Sequence, residues 1–133
     1  MQTPKWLDER IVRAIHAQQL AEYGGSPGLR DQGLLLSALA KAQNLFFYGE
    51  NPPSIFELAA AYGFGISQNH AFVDGNKRVS LYSMAIFLDI NGYSLEAPEE
   101  EAVLYMLRLA DGKESQPALA AWLQKYSHQL NDS

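Results

Sequence analysis

Between Asn76 and Asn91 the chain keeps a helical period while staying apolar around most of the helix: Tyr82, Ile86 and Ile90 form one stripe, flanked by Val79, Met84, Ala85, Phe87 and Leu88. A helix of this kind has no broad face to give to water, so other elements must wrap it. It is expected to be the central, most buried helix, ended by Asn91-Gly92 as a left-handed cap would end it. The elements available to wrap it are themselves helical in period. Leu7, Ile11, Ile15 and Leu20, with Val12 and Ala14, give a first helix that stops at Gly24-Gly25. Asp31 begins a second, with Leu34, Leu35, Ala38, Leu39 and Ala42 as its apolar face. A third runs from Ile55 to Asn69 behind a capping box of Ser54 and Glu57. A fifth, from about Pro98 to Ala110, is held by Val103, Leu104 and Leu107, and its acidic start at Glu99, Glu100 and Glu101 suits a helix N-terminus. A sixth, from about Pro117 to Tyr126, uses Leu119, Trp122, Leu123 and Tyr126. Between the second and third, Gly49, Asn51, Pro52 and Pro53 break the period, so residues 44–53 read as a loop or short hairpin carrying Phe46, Phe47 and Tyr48. Strand signal is nearly absent, and the tail from Ser127 onward is expected to fray. The expected fold class is all-α, a compact six-helix bundle in one domain over residues 1–133.

At 133 residues the chain can bury a core without staples. It has no cysteine, which argues against a secreted disulfide scaffold and a structural zinc site. Residues 1–10 carry polar and charged residues in place of an apolar core, and no segment approaches a membrane span, so a cytoplasmic protein with no membrane association is expected. A net charge of −5, with no basic stripe along any helix, argues against direct nucleic-acid binding.

The chemistry is concentrated in nine residues, His70-Ala71-Phe72-Val73-Asp74-Gly75-Asn76-Lys77-Arg78, where the third helix ends and the fourth begins. A loop in that place delivers backbone N–H groups to a helix start, which attracts anions. His70 can take a proton from an incoming hydroxyl near neutral pH. Asp74 offers hard oxygen to Mg²⁺, an ion that uses one or two protein carboxylates beside phosphate and water. Gly75 lets backbone approach a phosphate. Asn76 can donate to a phosphate oxygen or cap the helix, and both remain open. Lys77 and Arg78 supply positive charge, one as a point and the other as a planar fork. Phe72 is expected to anchor the loop in the core. His16 and His128, with no such neighbours, read as cap or surface residues, and Arg30-Asp31 as the cap of the second helix in preference to a catalytic pair.

These nine residues resemble the core motif of the Fic/Doc family, His-x-Phe-x-(Asp/Glu/Asn)-small-Asn-(Gly/Lys)-Arg. Lys77 stands where the larger Fic branch has glycine, and Leu81 where that branch has a second arginine; both departures are similar to the Doc branch, the death-on-curing toxins of type II toxin-antitoxin systems. Residues Tyr23 to Asp31, Gly33-Leu34-Leu35, Ser37-Ala38-Leu39, Phe87-Leu88 and Asn91-Gly92 extend the likeness. The resemblance implies a Mg²⁺-dependent protein kinase that moves the γ-phosphate of ATP to a hydroxyl of a translation factor, elongation factor Tu, and halts translation. It assigns His70 as base, Asp74 to the metal, and Gly75, Asn76, Lys77 and Arg78 to the nucleotide phosphates. It also implies a flap before the third helix that docks the target, where Tyr48 falls by position, although the aromatics there could equally fill the core. The partner it implies is a cognate antitoxin whose disordered C-terminal segment folds on the toxin, since the inhibitory Ser/Thr-x-x-x-Glu-Gly/Asn motif of many Fic proteins has no match in these residues. Two other activities stay open on the same fold: AMP or other nucleotidyl transfer to a protein hydroxyl, and a weakly catalytic antitoxin-binding module that regulates its operon.

Overall fold

The computed structural model describes residues 3–130. Its helices are α1 Glu9–Tyr23, α2 Gln32–Tyr48, α3 Ile55–Asn69, α4 Asn76–Ile90, α5 Glu99–Ala110 and α6 Gln116–Lys125, with two short strands, β1 Tyr93–Leu95 and β2 Ser127–Gln129. The protein is all-α apart from this one two-stranded ribbon. Asp8, Asp31, Ser54 and Ser115 each accept an N–H in the first turn of the following helix, so four of the six starts are set by side-chain caps. Among the described residues, no helix is long and apolar enough to cross a membrane.

The packing hub is α3, which lies against α2, α4, α5 and α6. Ten of its fifteen residues are buried, against seven of fifteen in α4, so the motif helix shares the centre with the helix before it. The cause is side-chain size. Ala59, Ala60, Ala61, Gly63 and Gly65 let neighbouring helices approach closely: a Cβ on Gly65 would stand 3.3 Å from Ala38, and one on Gly63 would collide with Met84. The stripe of Tyr82, Ile86 and Ile90 is only half-buried, while Val79, Met84, Phe87 and Leu88 of α4 face the core.

Three expectations are corrected. Residues 44–48 are helix, because Phe46 and Phe47 stay in register to pack on Trp6, at ring centroid distances of 5.6 and 6.1 Å; the break begins at Gly49. In α5 the core is met by Ala102, Tyr105, Met106 and Leu109, leaving Val103, Leu104 and Leu107 between 44% and 53% exposed. Both sets keep helical spacing, and the stack of Tyr105 on Trp122 at 4.6 Å decides which turns inward. The tail does not fray at Ser127: residues 127–129 pair antiparallel with β1, with Ser94 opposite His128. Residues 131–133 of that tail lie outside the described part.

Candidate active site

The site is built where α3 ends and α4 begins. His70 follows α3 with φ 49° and ψ 49°, the one non-glycine residue with positive φ among the described residues. That left-handed conformation is costly for a residue with a Cβ, and surrounding contacts must hold it. Arg30 supplies two, its Nε donating to the His70 carbonyl at 2.8 Å and its Nη2 to the Asn69 carbonyl at 3.2 Å. Asp31 caps α2 as expected, whereas Arg30 closes the end of α3. Residues 28–31 run alongside the motif loop as a short bridge. Leu29 pairs with Phe72, the N–H groups of Arg30 and Asp31 donate to the Ala71 carbonyl at 2.7 and 3.0 Å, and Val73 N–H donates to Gly28 at 3.1 Å.

Asn76 turns toward the motif loop. It is buried, its Oδ1 accepting from Phe72 N–H at 3.1 Å and its Nδ2 donating to the Phe72 carbonyl at 2.9 Å. Both ends of the amide are thus committed to the loop. The same Nδ2 lies 3.4 Å from His70 Nδ1, at the outer limit of a hydrogen bond; an amide nitrogen only donates, so the contact steadies the ring when Nδ1 is the accepting nitrogen. Phe72 is buried, as expected of a loop anchor.

Gly75 precedes α4 in the left-handed region, φ 81°, and no side chain caps the helix start. Uncapped N–H groups and the helix dipole leave that start attractive to an anion. Lys77 and Arg78 are exposed beside it and form no ion pair among the described residues. The Arg78 guanidinium lies 4.5 Å above the Tyr23 ring, which gives the fork a flat support. The Asp74 carboxylate accepts from Ser26 N–H at 3.1 Å and from Gly75 N–H at 2.8 Å. The Ser26 bond first, then that of Gly75, pulls its pKa below the usual carboxylate value, so Asp74 is ionised at neutral pH. Close approach of this carboxylate requires glycine at position 25, where a Cβ would stand 2.8 Å from Asp74 Oδ2. Among the described residues there is no cluster of three metal-binding side chains. One ionised carboxylate beside an anion site fits a Mg²⁺ ion that shares its shell with phosphates and water, and does not fit an all-protein cage.

His70, Asp74, Gly75, Lys77 and Arg78 line one cleft of about 390 Å³, with Asn76 in its floor and Leu81, Val103, Met106 and Leu107 as its apolar wall. Tyr48 is not brought there. It ends α2 and is 84% exposed, whereas the motif loop meets the start of that helix through Arg30 and Asp31. Sixteen residues of helix, about 24 Å, intervene. The segment lying beside the loop is 25–31, whereas the docking flap that the resemblance implies falls before α3 by position. His16 is not the cap or surface residue expected: it is buried, stacks on Phe72 at 4.1 Å, and has Nε2 2.9 Å from the Asp74 carbonyl. The signal was present, because positions 12, 15, 16 and 19 form one buried helical stripe. The apolar wall from α5 had no comparable signal.

A sequence model of the Fic/DOC family matches residues 6–88. Over 87 residues the chain is 34% identical to "Protein kinase doc" of Escherichia phage P1, an alignment covering 65% of this chain and 68% of that protein. Over 75 residues it is 40% identical to "Toxin Doc" of Mycolicibacterium smegmatis, covering 56% of this chain and 58% of that protein.

Proposed function

The chain belongs to the Fic/Doc family, and on that premise we propose that it is a Doc-type toxin that phosphorylates a hydroxyl of a translation factor, elongation factor Tu, in the cytoplasm. The observation that carries the reading is the uncapped start of α4 with two unpaired cations, facing the cleft that His70 also lines. Phosphoryl transfer asks a protein mainly for positioning and charge, and this arrangement supplies both.

In the proposed reaction the target hydroxyl oxygen attacks the γ-phosphorus of ATP. The new O–P bond forms as the bond to the β–γ bridging oxygen breaks, ADP leaves, and the hydroxyl proton passes to the His70 imidazole. The backbone N–H groups opening α4, together with Lys77 and Arg78, hold the phosphates and the charge spreading over the transferred group. Asn76 acts indirectly, by clasping Phe72 and steadying His70. Asp74 would hold Mg²⁺, which when bound neutralises phosphate charge. Leu81, Val103, Met106 and Leu107 offer the base an apolar wall. The names of the two relatives, a protein kinase and a toxin, support this direction of transfer and a cognate antitoxin as the restraining partner.

The test is incubation of the purified protein with Mg²⁺, elongation factor Tu and ATP labelled separately at the γ- and α-phosphates. Label from the γ-position alone, abolished by His70→Ala in a variant of unchanged helicity, is expected. Label from the α-position would make the protein a nucleotidyl transferase, and activity surviving His70→Ala would remove the base from its role.

A further inference from the structure

Outside the motif, one buried titratable side chain touches the catalytic loop from a different helix. His16 sits on α1 at 6% exposure. Its ring lies almost parallel to that of Phe72, 23° between planes and 4.1 Å between centroids. Its Nε2 lies 2.9 Å from the backbone carbonyl of Asp74, fifty-eight residues away in the chain. A carbonyl can only accept, so Nε2 carries the proton and donates. The ring also stands 3.7 Å from where a Cβ on Gly75 would be, so it abuts the turn leading into α4.

We infer that His16 is a positioning residue: its Nε2–H bond to the Asp74 carbonyl sets the peptide between Asp74 and Gly75, and through it the direction of the Asp74 carboxylate and of the N–H groups opening α4. The inference rests on the proposed phosphotransfer for its kinetic consequence, but not for its structural one. The loop is otherwise fastened on its other side. Asn76 grips Phe72, residues 28–31 grip Ala71 and Val73, and Arg30 grips His70. Among the described residues four bonds reach the Asp74–Gly75 corner: Ser26 N–H and Gly75 N–H to the carboxylate, Val79 N–H to the Gly75 carbonyl within the first turn of α4, and His16 to the Asp74 carbonyl. The first two involve the group that must turn toward a metal. The Val79 bond belongs to α4 itself, so the His16 bond is the one from another element that persists while the carboxylate changes partners, which is what a support outside the coordinating atoms provides.

Two substitutions separate the hydrogen bond from the packing. His16→Phe keeps a flat ring over Phe72 and removes the donor; His16→Gln loses the ring and keeps an N–H at nearly the same reach. His16→Phe is expected to slow γ-phosphate transfer about 10- to 100-fold and to raise the Mg²⁺ concentration giving half-maximal rate. Amide exchange at Gly75 and Val79, whose N–H groups are bonded at this corner, should quicken, with α3 and α6 unchanged, and His16→Gln should recover most of each effect. Wild-type rates and exchange in His16→Phe would overturn the inference, as would His16→Gln failing equally. Should His16→Phe not fold, nitrogen NMR of the wild-type imidazole decides: a proton on Nε2 is required, and a proton on Nδ1 alone overturns the assignment. If the wild type transfers no phosphate at all, the proposed function fails, and exchange together with the tautomer still judges His16.

Discussion

Asp74 shows how one residue's surroundings set its chemistry. Two backbone N–H groups, those of Ser26 and Gly75, point at its carboxylate, and both favour the charged form. A carboxylate whose folded pKa is depressed contributes stability that is fully present above its unfolded value, here 3.8, and loses it as pH falls through the lower folded value. The stability difference between wild type and Asp74→Asn is therefore expected to be level from about pH 5 upward and to shrink as pH drops below 3.8. Denaturant melts across pH would check this; a difference that changes near neutrality would contradict it. The motif residues were legible because their types match the chemistry at a fixed spacing. The inward turn of Asn76 was not, since an amide serves a phosphate or a loop equally well, and only the position of the Phe72 backbone chooses.

Among the elements, α3 and α4 depend on each other through small residues. Gly63 faces Met84, and Ser80 Oγ donates to the Gly63 carbonyl at 2.6 Å, so the two helices meet backbone to side chain. Gly63→Ala would ordinarily favour a helix by about 1 kcal/mol. Here the added methyl runs into the Met84 side chain, and the overpacking costs about 1–3 kcal/mol. The net expectation is a variant that is no more stable and as much as about 2 kcal/mol less stable, with Met84→Ala added to Gly63→Ala costing less than Met84→Ala alone. A double-mutant cycle by chemical denaturation measures it, and strict additivity would mean the helices relax apart without coupling. Helix starts were legible from period and caps, because Asp31 and Ser54 act locally, while the end of α2 at Gly49 was not. The orientation of α5 was not, because two apolar faces compete on one helix and the partner ring of Trp122 lies on another.

Across the whole molecule, residues 5–7 are tied over the bundle by bonds that span 55 and 86 positions of the chain. Tyr62, buried in α3, accepts from Leu7 N–H at 3.1 Å and donates to its carbonyl at 3.4 Å; Asn91 does the same for Lys5 at 2.9 and 3.0 Å. Burial pushes the Tyr62 pKa up to about 12, so the phenol stays neutral and able to do both. Tyr62→Phe leaves two polar groups of Leu7 unpaired and is expected to cost about 1–3 kcal/mol, seen as a lower denaturation midpoint with an unchanged slope. A midpoint equal to wild type would mean water replaces the phenol. By itself the sequence determined the helical class, the helix starts, the buried loop anchor Phe72 and the chemical character of residues 70–78, because each is written in neighbouring residues through period, caps and side-chain type. Only the tertiary structure decided that α3 shares the centre, that Tyr48 lies far from the loop, that α5 lends the cleft an apolar wall, and that His16 and Arg30 brace the motif. Those are contacts between elements, and a periodicity names the face that must be covered without naming what covers it.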